Sequence, residues 1–140
     1  MSTIICFDFG LVRTGVAIGN TITCTAMPEC TLKSKNNQPD WEAISCLFTT
    51  WKPSQLVVGL PTNLDGSDTH ATKAVRRFCN QLNGRYQLPV AQENEQYSSI
   101  EAAQRLKETR QQGRKKKVSK EDVDQIAATI ILENYFRKLL

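Results

Sequence analysis

The sequence lacks several features that identify common classes of protein. No uninterrupted apolar run approaches the length of a membrane-spanning helix, and no apolar signal segment opens the chain. There is no P-loop, no dinucleotide-binding glycine fingerprint and no internal repeat. The five cysteines are odd in number and include no C-x-x-C pair. We therefore expect a cytoplasmic protein with no membrane association, whose reduced cysteines fill its core.

Histidine is almost absent, which limits the metals and the chemistry available to the chain. The one histidine, His70, stands at the expected start of a helix, where we interpret it as a solvated side chain. No serine or cysteine motif accompanies it, so the sequence offers no nucleophile triad. Without a His/Cys cluster, carboxylates are the remaining metal ligands, and their hard oxygens favour Mg²⁺ or Mn²⁺ over zinc.

The net charge of +4 is distributed unevenly along the chain. Residues 105–120 hold eight Lys or Arg against one acid, a local charge of +7, while the remainder has ten basic and thirteen acidic residues, a net −3. Such a block is an electrostatic footprint for a polyanion, and a solvated, flexible loop is the alternative. The candidate nucleic-acid contacts at its centre are Arg114, Lys115, Lys116 and Lys117.

Apolar periodicity predicts one domain over residues 1–140, with the element order β-β-β-α-β-α-β-α-α. Hairpin strands followed by β-α units indicate an α/β fold, a mixed five-stranded sheet flanked by helices. The expected strands are Thr3 to Phe9, Thr14 to Gly19, Thr21 to Met27, Gln55 to Leu60 and Gln87 to Gln92. The expected helices cover 41–51, about 71 to a stop at Gly84, 98 toward 110, and about 120 to the C-terminus.

Three carboxylates stand out because each is placed against apolar sequence. Asp8 ends the first strand, Glu95 follows the fifth strand, and Asp124 heads an apolar stripe on the last helix. A buried carboxylate is costly unless it is paired, protonated or bound to a metal. An aspartate after a strand is also a common turn former, so each residue alone is weak evidence. Together with a basic tract, however, carboxylates that hold Mg²⁺ indicate phosphodiester chemistry.

Four motifs follow one another along the chain: DFGLVRTGVA at 8–17, VVGLPTNLDG at 57–66, NEQYSSIEA at 94–102 and DQIAATIIL at 124–132. In this order they resemble the motifs of the YqgF family, also called the RuvX family. The resemblance implies an RNase H-like fold and a metal-dependent nuclease of endonuclease type, linked to maturation of the 5′ end of 16S ribosomal RNA. Resolution of Holliday junctions in DNA is the older proposal for the same family.

The resemblance also implies roles for individual residues. The family's acidic positions fall on Asp8, Glu95 and Asp124, which would be catalytic and hold one or two Mg²⁺ or Mn²⁺ ions. Arg13 matches the family's basic residue after the first strand and is a candidate phosphate contact. The expected partners are structured RNA precursors, ribosomal precursor particles or branched DNA. Contacts to phosphate carry no base information, so the sequence does not distinguish an RNA substrate from a DNA substrate. The chain is expected to be a monomer or a homodimer.

The third motif departs from the family's pattern. Where the family commonly reads Asp-Glu-Arg, this chain has Asn94, Glu95 and Gln96, so one acid and one base are missing. Glutamine cannot make the charged, bidentate phosphate contact that arginine makes. The alternative to a nuclease is therefore a nucleic-acid-binding or ribosome-associated module that has kept the scaffold but has weak catalysis or none.

Overall fold

The computed structural model describes residues 2–60, 70–94, 104 and 120–139. Five strands form one sheet in the order β3-β2-β1-β4-β5, with β1, β2 and β3 antiparallel and β1, β4 and β5 parallel. The predicted mixed five-stranded sheet with flanking helices is confirmed. The elements are β1 (Thr3–Phe9), β2 (Arg13–Asn20), β3 (Thr25–Lys33), α1 (Trp41–Trp51), β4 (Gln55–Leu60), α2 (His70–Tyr86), β5 (Val90–Asn94) and α3 (Lys120–Leu139).

Helices cover both faces of the sheet, so its two central parallel strands are buried on both sides. One face packs on α1 and α2 through residues such as Phe7, Val58 and Phe78, and the other packs on α3 through residues such as Cys6 and Ile131. Side chains alternate between the two faces of a strand. This explains why β1 and β4 are apolar without interruption, as strands covered on both faces are.

Helix α3 lies close against β2 because, beyond Arg13, that strand presents small residues to it. Gly15, Ala17 and Gly19 alternate along β2 on the face that α3 covers. A Cβ atom at Gly15 would overlap the backbone carbonyl of Asp124, and one at Gly19 would lie 2.6 Å from a methyl carbon of Leu132. The helix therefore packs nearer to the sheet than any residue larger than glycine at positions 15 and 19 would allow.

The third strand begins at Thr25, so the prediction of Thr21 to Met27 was wrong. The side-chain oxygen of Asn20 accepts hydrogen bonds from the backbone N–H groups of Ile22 (2.8 Å) and Thr23 (3.3 Å). Cys24 completes the turn with a positive φ of 54°. An Asn-led turn of this kind was hidden in the sequence because its members are apolar or β-branched.

Helix α2 runs through Gly84 to Tyr86, so the predicted stop at Gly84 was wrong. The helix ends where Gln87 adopts a φ of 55° and its N–H donates to the carbonyl of Asn83 at 2.8 Å. The next strand accordingly begins at Val90 rather than at Gln87. The predicted helix from 98 toward 110 lies outside the described residues, apart from Gln104, which is helical.

The cysteines are all free thiols, but they do not all fill the core. Cys6 and Cys79 are buried, Cys24 and Cys30 are partly buried, and Cys46 is exposed, so the prediction was wrong for Cys46. Burial raises the pKa of the Cys30 and Cys79 thiols to about 11. Both thiols are therefore protonated at neutral pH and are poor nucleophiles. No helix in the described ranges is both long and apolar enough to span a membrane.

Two glycine substitutions test the close packing of α3. Gly15→Ala should lower the free energy of unfolding by about 1 to 3 kcal/mol, because the new methyl group must push Asp124 away from the sheet. Gly84→Ala is the matched control, since nothing lies within 4 Å of a Cβ there and alanine favours a helix by about 0.5 to 1 kcal/mol. In urea unfolding, the free energy of unfolding should therefore fall for Gly15→Ala and rise for Gly84→Ala. Equal effects would contradict the close approach at Gly15.

Candidate active site

The strand register brings two of the predicted carboxylates to one place. Asp8 is the Cα partner of Gly15 in the antiparallel pair of β1 and β2. Directly opposed residues of such a pair point to the same face of the sheet, which here is the face covered by α3. The backbone of Asp124 lies against Gly15 on that face. Asp8, at the carboxyl end of β1, and Asp124, near the start of α3, are therefore neighbours.

Asp124 is held by an arginine at the start of β2. The Arg13 Nε donates to Asp124 Oδ2 at 2.7 Å, and the two side chains are 30% and 22% exposed. A hydrogen bond between two charged groups of this length is among the stronger kinds in proteins. It uses one of the five N–H donors of the guanidinium, so the group has further donors for another anion.

Contacts at the start of α3 fix the position of Asp124. The Thr31 hydroxyl of β3 donates to the backbone carbonyl of Glu121 at 2.8 Å. Lys33 Nζ lies 3.4 Å from the Glu121 carboxylate, but both side chains are too exposed for that ion pair to contribute much. The hydroxyl contact and the close packing at Gly15 therefore set the first turns of α3 against the sheet.

A buried carboxylate is paired at the other end of α3, and the sequence did not predict it. Lys138 Nζ lies 2.6 Å from Glu93 Oε1, and the Glu93 side chain is only 6% exposed. Strand alternation places Glu93 on the same face as Ala91, which packs in the α3 core. That alternation was the available signal, but the predicted strand ended at Gln92 and left Glu93 out. The pair ties the last turn of α3 to β5.

The remaining predicted site residues lie outside the described ranges. These are Glu95 and the basic group Arg114, Lys115, Lys116 and Lys117. Within the ranges that are described, no three His, Cys, Asp or Glu side chains form a group that could hold a metal ion. The two carboxylates of Asp8 and Asp124 are thus the part of the predicted triad that can be placed.

Comparison with solved structures identifies the class of fold. The chain matches a fowlpox virus resolvase in complex with Holliday junction DNA, with a TM-score of 0.57, 16% identity and 99% of each chain covered. It also matches RuvC of T. thermophilus bound to a Holliday junction substrate, with a TM-score of 0.56, 11% identity, and 99% and 96% of the two chains covered. The fold is therefore RNase H-like, of the RuvC type.

Sequence comparison then gives the family. The model of the RuvX family, described as Holliday junction resolvase, matches residues 2–138, and the chain belongs to this family. A Hydrogenovibrio crunogenus protein named "Putative pre-16S rRNA nuclease" is 52% identical over 97% of this chain and 94% of its own length. A Legionella pneumophila protein of the same name is 43% identical over 94% of this chain and 93% of its own length. The resemblance found in the four motifs is confirmed.

Removing the amine of Lys138 tests the pairing of the buried carboxylate. Lys138→Met keeps most of the apolar stem but leaves the Glu93 carboxylate buried without this partner, so the free energy of unfolding should fall by about 1 to 3 kcal/mol. Arg137→Met is the control, because Arg137 is exposed and its side chain bonds to Asn134 one turn away. Its effect should stay within about 0.5 kcal/mol. If urea unfolding shows the same loss of free energy of unfolding for Lys138→Met and Arg137→Met, the Lys138–Glu93 pair does not stabilise the end of the helix.

Proposed function

We propose that this protein is a metal-dependent nuclease that hydrolyses phosphodiester bonds in nucleic acid, and that its task is maturation of the 5′ end of pre-16S ribosomal RNA in the cytoplasm. Two observations support the proposal: Asp8 is the strand partner of Gly15, and the backbone of Asp124 packs against Gly15 at the carboxyl end of β1. Sites in open α/β folds form at that edge. Membership of the RuvX family and the names of the relatives support the same chemistry.

The described residues fit a divalent metal ion. Asp8 and Asp124 supply hard carboxylate oxygens, the ligands that Mg²⁺ and Mn²⁺ prefer. The Arg13 guanidinium already occupies Asp124 Oδ2, so a metal ion would bind the other carboxylate oxygen or displace this contact. We propose Glu95 as the third ligand. When bound, the metal would activate water and stabilise the leaving oxygen.

The chain's own residues would bind and orient the substrate. Arg13 is anchored to Asp124 through its Nε, and its other N–H groups would donate to a phosphate beside the two carboxylates. The basic group at 114–117 would add sequence-independent contacts to the backbone of the nucleic acid. Both contributions concern phosphate groups, so they position the substrate without reading its bases.

A second candidate substrate is branched DNA. The family's description as Holliday junction resolvase favours it, and cutting a two-fold symmetric junction would favour a homodimer. Asn94 and Gln96 favour the third possibility, a nucleic-acid-binding module with weak catalysis, because they replace an acid and a base of the family's motif. A cleavage assay on both substrates distinguishes the three.

Asp8→Asn should abolish cleavage while leaving the fold intact, because it removes one metal ligand and nearly preserves the shape of the side chain. The assay compares a pre-16S RNA fragment with a four-way DNA junction, each with Mg²⁺ and with EDTA. Cleavage of the RNA alone supports the ribosomal task, and cleavage of the junction alone supports the resolvase. A purified Asp8→Asn protein with undiminished turnover would remove Asp8 from the mechanism.

A metal-induced rise in melting temperature tests whether the carboxylates share one site. A ligand at 100 times its dissociation constant adds about 2.7 kcal/mol, which is measurable in a domain of this size. Asp124→Asn and Glu95→Gln should each gain less from added Mg²⁺ or Mn²⁺ than the wild type. Glu42→Gln, at an exposed position on α1, should keep the full gain. If the metal-induced rise in melting temperature were unaltered in both Asp124→Asn and Glu95→Gln, these residues would not form the site.

A further inference from the structure

A groove with a volume of about 260 Å³ lies on the opposite face of the sheet from Asp124, between the β1–β2 turn, the loop before α1, and α2. Phe9 and Leu11 line one side, Gln38 and Pro39 belong to the loop, and the α2 side includes Lys73 and Arg77. Asp8, Arg13 and Asp124, the proposed site residues that the structure describes, are not among the residues that line this groove. It is smaller than the roughly 300 to 1,000 Å³ of sites that enclose a drug-sized molecule.

The groove lies one residue away from the candidate active site. Phe9 directly follows Asp8 at the end of β1, and successive side chains of a strand point to opposite faces. The turn of Gly10 to Val12 therefore separates the two carboxylates on one face from the groove on the other. Among the described residues, this turn is what lies between Asp8 and the groove along the chain.

The groove carries concentrated positive charge. Lys73 and Arg77 stand one helical turn apart on α2, both exposed, and neither forms an ion pair with another residue of the described ranges. The seventeen residues of α2 include four Lys or Arg and no acid. Among the described residues that line the groove, none is acidic either. Two like charges at this spacing repel each other, and an anion would relieve that repulsion.

Apolar surface stands next to this charge. Leu11 and Val12 at the tip of the turn are 71% and 68% exposed. The ring of Phe9 is stacked on Phe78 with centroids 4.5 Å apart and an interplanar angle of 19°, so a fixed aromatic group backs the groove. Proteins bind unpaired nucleotides with cations that follow the backbone and aromatic side chains on which bases stack. Lys73, Arg77 and Phe9 supply both kinds of group here, and Leu11 adds apolar surface beside them.

We propose that this groove binds one nucleotide of an unpaired strand that extends from the scissile phosphate. Lys73 and Arg77 contact its phosphates, and Leu11 and Phe9 contact its base. A duplex keeps its bases stacked and paired, so an apolar contact at this position distinguishes a single strand from a duplex. The inference rests on the proposed nuclease function for the course of the strand, whereas binding in the groove is measurable without cleavage.

The experiment measures binding by fluorescence anisotropy in the Asp8→Asn background, with a labelled twelve-nucleotide single-stranded RNA and a blunt duplex of the same sequence. Lys73→Gln combined with Arg77→Gln should weaken binding of the single strand by at least about tenfold. It should also reduce the slope of log K against log[salt] by about 1.4, since each neutralised phosphate of a single strand contributes about 0.7 to that slope. Binding of the duplex should change by less than about twofold.

Leu11→Ser should weaken binding of the single strand about fivefold without changing the salt slope, because it removes an apolar side chain and no charge. The control combines Lys52→Gln with Arg137→Gln, which removes two positive charges outside the groove and should leave strand binding unchanged. Circular dichroism and melting temperature verify the fold of each variant. These controls separate the groove from a general effect of net charge.

Two results would overturn the proposal. One is unchanged strand binding by the Lys73 and Arg77 variant, and the other is an equal loss on strand and duplex. The nuclease proposal fails independently, through absence of metal-dependent cleavage by the wild-type protein. Strand-selective binding in the groove together with no cleavage would therefore retain the groove and reject the nuclease.

Discussion

The contact between α3 and the glycine face of β2 is the constraint on which the candidate site depends. Gly15 admits the backbone of Asp124, and its strand partner is Asp8, so one missing side chain brings together two carboxylates from opposite ends of the sequence. The same contact places Asp124 within reach of Arg13, which supplies positive charge at the carboxylate. Packing, electrostatics and the proposed chemistry thus depend on a single close approach.

Charge fixes α3 at both of its ends. Near its start, Asp124 pairs with Arg13 of β2, and in its last turn Lys138 pairs with the buried Glu93 of β5. These two strands lie on opposite sides of the central pair β1 and β4. The helix therefore crosses the sheet with an ionic contact at each side, and the apolar core holds it between them.

The sequence predicted the α/β class, the sheet and most elements because their apolar periodicity is strong, as in Thr3–Phe9 and Trp41–Trp51. It failed where a polar side chain or a single backbone torsion decides the boundary, as at Asn20 and Gln87. The four motifs identified the family, and the roles that they imply for the three carboxylates stay a prediction. The pairing of Arg13 with Asp124 and the burial of Glu93 could not be predicted, because they depend on long-range packing that no local pattern records.

The separation of Asp8 and Asp124 along the chain has a consequence for folding kinetics. They are 116 residues apart, so the site is a contact of high sequence separation that forms only after a long loop has closed. Helix α3 brings one carboxylate and also covers Ile4 and Cys6 in the sheet. Local unfolding of this one helix would separate the carboxylates and expose a core face at the same moment. Separation of Asp8 from Asp124 and exposure of apolar core surface are therefore coupled in a single cooperative opening.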